Sequence, residues 1–259
     1  HVHHGLWEHG DEATTEAVCA LVDRVGDAAR IGPGTEVCDV GCGYGATARR
    51  LTERRGARVV GLTLSAAQVR YAEKVGGSGF GPTILQRDWF DNQLPSDSFD
   101  AVIAIESFEH MGNRARFFSE AFRVLRPGGR MVISAWLSDE LPSAWERRLL
   151  LEPICREGRL AGLPTSSECV DGFESAGFAN VTYEELTAKV RRTWAIAVAR
   201  LVAAVSSRPR YRAFLRSDAS AHRIFALTVL RIGAAYAVGA MKYGLFDAIK
   251  PEPRTPSSS

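Results

Sequence analysis

Apolar positions change their spacing along the chain, and the changes mark its elements. Between Asp11 and Ala29, Ala17, Val18, Leu21, Val22 and Val25 recur at helical spacing, and Asp11, Thr14 or Thr15 is placed to cap that helix. Ile31-Gly32-Pro33-Gly34 stops it. A short apolar strand then starts near Glu36 and runs through Val40 into glycines, and a second helix from Ala46 to Arg55 ends at Gly56. Arg58–Ser65 reads as the second strand and Thr83–Arg87 as the third. Phe99–Ile105 is a near-continuous apolar run, which suits a central parallel strand buried on both faces. Arg116–Leu125 places Phe117, Phe118, Ala121, Phe122 and Leu125 on one stripe and stops at Pro127-Gly128-Gly129. Arg130–Trp136 is the fifth strand. Residues 139–165, with Pro142, Trp145 and Pro153, read as an insertion. Ser166–Ala176 is a further helix, and Val181–Leu186 the sixth strand.

Strands alternating with helices predict an α/β fold with a largely parallel sheet. From Val190 to Met241 the alternation gives way to helices, broken near Ser206-Ser207-Arg208-Pro209 and Ser217-Asp218. Their apolar faces carry Trp194, Ile196, Leu201 and Val202, then Phe225, Leu227, Leu230 and Ile232. These ~50 residues are too long for a plain connection. They predict a helical cap, after which Tyr243–Ile249 returns to the sheet as the seventh strand. The cap is extra core, a dimer face, or a lid enclosing a lipophilic ligand. The expected division is an arm and helix over 1–30, a core over 31–189, the cap over 190–241, the last strand over 242–250 and a disordered polar tail over 251–259.

Composition narrows the field modestly. Hydrophobic content of 46% and charged content of 24% are ordinary for a globular protein. A net charge of +2 gives no field pointing to nucleic acid. Cys19, Cys38, Cys42, Cys155 and Cys169 are odd in number and lack paired metal spacing, so buried thiols and no metal are expected, in a reducing, cytoplasmic setting. No signal peptide is recognisable. The longest apolar run, Ile224–Met241, is interrupted by Arg231 and falls short of the ~20 residues a transmembrane helix needs.

The candidate chemistry centres on Val37-Cys38-Asp39-Val40-Gly41-Cys42-Gly43-Tyr44-Gly45. Glycines at 41, 43 and 45 allow a sharp turn and bring bare backbone close to a ligand, with the N–H groups of the next helix facing it. Asp39 could accept hydrogen bonds from a cationic or hydroxyl-bearing ligand. A dinucleotide fingerprint would place its third glycine at 46, where this chain has Ala46. Further on, Ser65 opens a helix with Gln68 one turn in; the plainer reading is a cap and a solvated residue. Asp88 could accept from an adenine amine, or cap the following turn, and Trp89 offers a stacking face. Glu106, Glu109 and His110 stand at the end of the Phe99–Ile105 strand, where Glu109 and His110 could instead cap the next helix. The stretch from His1 to His9 holds four histidines and Trp7, and reads as a partly mobile arm.

The Asp-x-Gly-x-Gly-x-Gly turn resembles the first motif of the class I S-adenosylmethionine-dependent methyltransferases. Gly61-Leu62-Thr63-Leu64-Ser65-x-x-Gln68 resembles a segment shared by their tocopherol-type, sterol, phosphoethanolamine and cyclopropane-forming members. Glu106-Ser107-Phe108-Glu109-His110-Met111 and the histidine–glycine–aromatic arm look like the tocopherol-type enzymes. The resemblance implies a Rossmann-like, seven-stranded, mostly parallel sheet with helices on both faces and a helical cap inserted before the last strand. It implies S-adenosylmethionine as cofactor and S-adenosylhomocysteine as product, held by Trp7, Asp39, Gly41, Cys42, Gly43, Thr63, Leu64, Gln68, Asp88, Trp89 and Ile105. Glu106, His110 and, from the arm, His4 are the implied catalytic residues. The carboxylate of Glu106 would act as a base or, toward an alkene carbon, stabilise a developing cation. A desolvated carboxylate there should titrate unusually. The implied acceptor is a small, largely apolar molecule of secondary metabolism, methylated on carbon, nitrogen or oxygen by a monomer or homodimer. A nicotinamide oxidoreductase is disfavoured by Ala46, and by Thr63 where an acid is expected. A catalytically silent cofactor-binding protein is the other alternative.

Overall fold

The computed structural model describes residues 3–76, 81–207 and 220–253, with side chains in the last stretch described from 226. Seven strands form one sheet: β1 Glu36–Val40, β2 Arg58–Thr63, β3 Thr83–Gln86, β4 Phe99–Ile105, β5 Leu125–Ser138, β6 Ala179–Glu185 and β7 Met241–Ile249. Their order is β3-β2-β1-β4-β5-β7-β6. The first five are parallel, and β7 runs antiparallel to both β5 and β6. The helices are α1 Thr14–Ala28, α2 Ala46–Arg55, α3 Ala66–Gly76, α4 Arg114–Val124, α5 Ala144–Glu146, α6 Glu152–Gly158, α7 Ser166–Ser175, α8 Thr187–Val190, α9 Arg192–Ser207 and α10 Ser220–Val238.

The period of two explains why β4 reads as continuously apolar. Ala101, Ile103 and Ile105 enter one core with Leu21, Val25, Leu51 and Tyr243, while Val102 and Ala104 enter the other with Phe108, Phe117, Phe118 and Phe173. The sheet separates the two cores, and each large side chain fully buried there contributes about 1.5–3 kcal/mol. β1 lies between β2 and β4, where the strand order reverses. Connections leave it in opposite directions, which opens a crevice beyond the carboxyl ends of the strands.

Several boundaries differ from the sequence reading for identifiable reasons. None of Asp11, Thr14 or Thr15 caps α1; the Glu16 carboxylate reaches back to accept from the Ala13 N–H at 3.0 Å. β5 begins at Leu125, paired with Phe99, and the register shifts before Arg130 pairs with Ala101. The intervening Pro127-Gly128-Gly129 bulges out, with Gly128 at φ +77°. The 139–165 insertion holds a continuous helical run over 144–158, wound as a π-helix over Arg147–Leu151. Pro153 follows that stretch and has no N–H to continue an ordinary ladder. The run supports the cap: Glu157 accepts from Thr228 Oγ1 of α10 at 2.6 Å and pairs with Arg231.

α8, α9 and α10 lie between β6 and β7. Ile232 of the predicted apolar faces is buried, but Leu227 and Leu230 are each 42% exposed. The inner face of α10 instead carries Ala226, Val229, Ile232 and Tyr236, at three- and four-residue steps. α9 buries none of its residues. The predicted breaks at Arg208-Pro209 and Ser217-Asp218, the Phe225 side chain, His1-Val2, and residues 254–259 of the predicted tail lie outside the described residues. Among the described residues, no helix is long and apolar enough to cross a membrane.

Candidate active site

The glycine turn after β1 is left-handed at each predicted position: Gly41, Gly43 and Gly45 have φ of +76°, +55° and +70°. At Gly41 a Cβ would lie 2.4 Å from Ser107 Cβ, so glycine there lets the end of β4 approach β1. At Gly43 a Cβ would meet nothing within 4 Å. The turn forms one wall of a crevice of about 430 Å³, within the range of small-molecule sites.

Asp39, Gly41, Cys42, Gly43, Thr63, Leu64, Gln68, Asp88, Trp89, Ile105, Glu106 and His110 all line this crevice. Thr63 Oγ1 hydrogen-bonds Gln68 Oε1 and accepts from the Ser65 N–H at 3.2 Å. The Gln68 amide is thereby fixed at the rim, half-buried rather than freely solvated. Leu64 is 71% exposed at the same edge. Asp88 Oδ1 caps the turn Trp89–Asp91 through the Phe90 N–H at 2.9 Å, as the plainer reading held, yet the residue still faces the crevice. Burial pushes the Cys42 thiol up, as it does Cys38, so both behave as inert buried thiols.

Three placements correct the sequence reading. Trp7 is buried away from this crevice, where its indole N–H points to Thr193 Oγ1 at 3.4 Å, and it lines a separate cavity between the arm, α9 and α10. The Trp89 ring is 3% exposed, packed against Phe117, with its N–H on the Phe117 carbonyl, so no face is open for stacking. Glu109 and His110 do not cap the next helix; Asn113 Oδ1 does, accepting from the Arg116 N–H at 3.0 Å. His110 is exposed at the crevice edge, with Nδ1 3.2 Å from the Arg159 carbonyl.

Asp39 is 2% exposed, and among the described residues its Oδ2 has no hydrogen-bond partner. Burial pushes its carboxyl up to about 7. An unpartnered buried carboxylate oxygen is costly unless a donor arrives, and this one faces the crevice beside the glycine turn. A ligand with an ammonium group answers it. Together with a turn that presents backbone rather than side chains, it makes the residues present fit S-adenosylmethionine.

At the far end of the crevice stands Glu106, left-handed at φ +50° without being glycine, a backbone state that costs about 1 kcal/mol or more. Its N–H donates to the Ser134 carbonyl at 2.9 Å. Its Oε1 accepts three hydrogen bonds: from the His4 backbone N–H at 2.8 Å, from His4 Nδ1 at 2.8 Å and from the Tyr243 hydroxyl at 2.9 Å. His4 Nε2 accepts from the Trp194 indole N–H at 2.5 Å, and the Tyr236 hydroxyl lies 3.3 Å from it. An indole N–H only donates, so the His4 proton is placed on Nδ1, facing Glu106. Burial alone would raise the Glu106 carboxyl, but His4, with His3 beside it, outweighs burial and holds it down at about 2. Glu106 does titrate unusually, in the ionised direction.

Sequence reasoning missed the groups that converge here. Tyr243, Trp194 and Tyr236 come from β7 and the cap, and Trp136 stands edge-on to the His4 ring at 5.3 Å. Glu109, which the sequence leaves between a site residue and a helix cap, is a buried acid. It is 2% exposed, its Oε1 accepts from the Trp136 backbone N–H and, among the described residues, its Oε2 has no partner. Burial pushes its carboxyl up to about 8, and the charge of Glu106 adds to the rise. One turn thus carries an ionised and a neutral carboxyl. The period of the sequence gives no sign of this; only the acid-rich Glu106–His110 stretch marks the place.

Fold and crevice together define a class I S-adenosylmethionine-dependent methyltransferase. Among such proteins, the chain belongs to the mycolic acid cyclopropane synthetase family, whose model matches residues 5–223. It is similar to the chloroplastic tocopherol O-methyltransferase of Arabidopsis thaliana, 25% identical over 97% of this chain and 76% of that protein. It is also similar to the 27-O-demethylrifamycin SV methyltransferase of Amycolatopsis mediterranei, 27% identical over 97% of this chain and 90% of that protein. In fold it matches the cyclopropane synthase MmaA2 of Mycobacterium tuberculosis with a TM-score of 0.83, at 24% identity over 96% of this chain and 90% of that one.

Proposed function

We propose that the protein transfers a methyl group to a small, largely apolar acceptor of secondary metabolism, at a carbon, nitrogen or oxygen nucleophile, with Glu106 and His4 at the reacting centre. The observation that carries this reading is the buried Glu106–His4–Tyr243 cluster at the crevice end, walled by Trp136, Trp194 and Tyr236. Relatives named for tocopherol and for 27-O-demethylrifamycin SV support an apolar acceptor.

S-adenosylmethionine, when bound, supplies a methyl group already activated by its sulfonium. The residues of this chain then contribute alignment, exclusion of water and charge. Asp39 would hold the cofactor's ammonium group, and Thr63 and Gln68 would lie toward its ribose. Glu106, kept ionised, is a weak base but a strong local charge. That favours a nucleophile that gains positive charge as it takes the methyl group, such as an alkene carbon or an amine. His4 holds the carboxylate in place, and the aromatic walls keep the reacting centre dry.

The test supplies S-adenosylmethionine labelled in its methyl group with an extract of small metabolites, and follows label into organic and aqueous phases for the wild type and Glu106→Gln. Label in the organic phase with the wild type and not with the variant is the expected result. Label that stays in the cofactor despite tight cofactor binding would favour the silent-binder alternative instead.

A further inference from the structure

A second cavity, of about 760 Å³, lies between the arm, α9 and α10, and it shares no lining residue with the cofactor crevice. Ala195, Val198 and Ala199 of α9 face Leu230, Gly233 and Ala234 of α10 across it. Gly233 permits the close approach of the two helices, since a Cβ there would stand 3.0 Å from Val198 Cγ2. Trp7 and Tyr236 supply aromatic walls. The Tyr236 hydroxyl is directed at His4, so this chamber presents the apolar part of that ring.

The polar contribution is one-sided. Arg191 and Arg192 line the chamber where α9 begins, and both are exposed. That position is electrostatically adverse for them, because a helix start carries the positive end of its dipole and favours acids. The first turn of α9 holds no acid. Among the described residues neither arginine forms an ion pair; Glu8 of the arm is taken by Lys189 at 2.7 Å. The Arg192 guanidinium is steadied over the Trp7 ring, 5.1 Å from its centroid. Two unpaired guanidiniums and a helix start concentrate positive potential beside an apolar groove.

We propose that this chamber is a second ligand site, for a lipophilic anion whose carboxylate or phosphate sits on Arg191 and Arg192 while its hydrocarbon part lies between α9 and α10. Such a ligand would press on the ring of Tyr236. Through the Tyr236–His4 contact at 3.3 Å, its presence would be felt at Glu106. The existence of the site does not rest on the methyl-transfer reading, whichever source supplies the anion.

Octyl phosphate, titrated calorimetrically into the full chain, tests the site, with S-adenosylhomocysteine binding measured in parallel as an independent reading of the crevice. Octyl phosphate is expected to bind below its micelle concentration, and octanol at least tenfold more weakly. The double variant Arg191→Gln/Arg192→Gln should lose tenfold or more of the octyl phosphate affinity. Ala195→Trp, at an exposed position that tolerates a larger side chain, should block the groove. All variants should keep S-adenosylhomocysteine affinity and melting temperature. Equal binding of octyl phosphate to the wild type and both variants, or no binding at all, overturns the proposal and leaves the methyltransferase reading untouched. Given binding, suppression of labelled methyl transfer in competition with the extract would assign the anion to the acceptor itself. Suppression that extra extract does not relieve would assign it to a separate lipid.

Discussion

His4 and Glu106, 102 residues apart, are joined twice through the same carboxylate oxygen, by a backbone N–H and by an imidazole nitrogen, both at 2.8 Å. The arm is therefore bonded directly to the carboxylate proposed to act at the reacting centre. Glu106→Gln keeps the side-chain shape and removes the charge. It is expected to retain S-adenosylhomocysteine binding within about threefold and to lose about 100-fold or more of turnover, the usual effect of removing a group that acts on the transition state. Trp194→Phe removes the donor that directs the His4 proton to Glu106. Its turnover should fall by a smaller factor, roughly tenfold, with cofactor affinity unchanged. Single-turnover rates alongside calorimetric binding separate the two effects.

Much of the fold was legible in the sequence because local signals and tertiary packing agree. β4 occupies Phe99–Ile105 as its apolar run predicts, and α2 ends at Gly56, which is left-handed at φ +67°. The crevice was legible too, since its residues belong to short contiguous motifs. What the sequence hid depends on contacts between distant segments. Trp7 and Trp89 advertise aromatic faces, but only packing reveals that the Arg192 guanidinium lies over Trp7 and that the Phe117 ring packs against Trp89. Tyr243 looks like any strand aromatic until β7 inserts between β5 and β6 and aims its hydroxyl at Glu106. Glu109 reads as a helix cap because the chain gives no hint that the Trp136 N–H will need an acceptor.

Asp39 should make cofactor binding pH-dependent. Its carboxyl sits at about 7, raised by burial from 3.8. A ligand ammonium prefers the ionised form, so binding expels the proton. Affinity for S-adenosylhomocysteine should rise with pH as Asp39 ionises, by roughly tenfold between pH 6 and 7.5. Asp39→Asn should bind more weakly at pH 7.5 and lose that slope. Calorimetry across the pH series checks both, and proton release measured in buffers of different ionisation enthalpy checks the cause.

Glu109 predicts the opposite sign for stability. Its carboxyl is raised from 4.5 to about 8 by burial, with Glu106 adding to it. Between those values the folded chain holds a proton that the unfolded chain has released, so stability falls as pH rises through that window. At pH 7 the burden is roughly 3 kcal/mol, at about 1.4 kcal/mol per unit. Glu109→Gln keeps an oxygen for the Trp136 N–H and has no proton to lose. It should be more stable than the wild type by about 3–4 kcal/mol at pH 8 and nearly equal at pH 4.5. Urea unfolding at the two pH values checks it; equal stability gaps at both would show that Glu109 is not buried as a neutral acid.

Gly41 and Gly43 belong to the same turn but should fail differently. A methyl at Gly41 would collide with Ser107, whose hydroxyl donates to the Val40 carbonyl at 2.5 Å and holds β4 against β1. The left-handed backbone adds strain that glycine avoids. Gly41→Ala should therefore lower stability by about 2–5 kcal/mol. At Gly43, which lines the crevice, an added methyl would meet no described atom within 4 Å, so packing does not resist it. Gly43→Ala bears only the backbone strain, about 1–2 kcal/mol. Its folded fraction should stay high while S-adenosylhomocysteine affinity falls at least tenfold. Thermal melts with and without S-adenosylhomocysteine distinguish the two. Gly41→Ala lowers the melting temperature of the unliganded chain, whereas Gly43→Ala mainly removes the rise that the ligand produces.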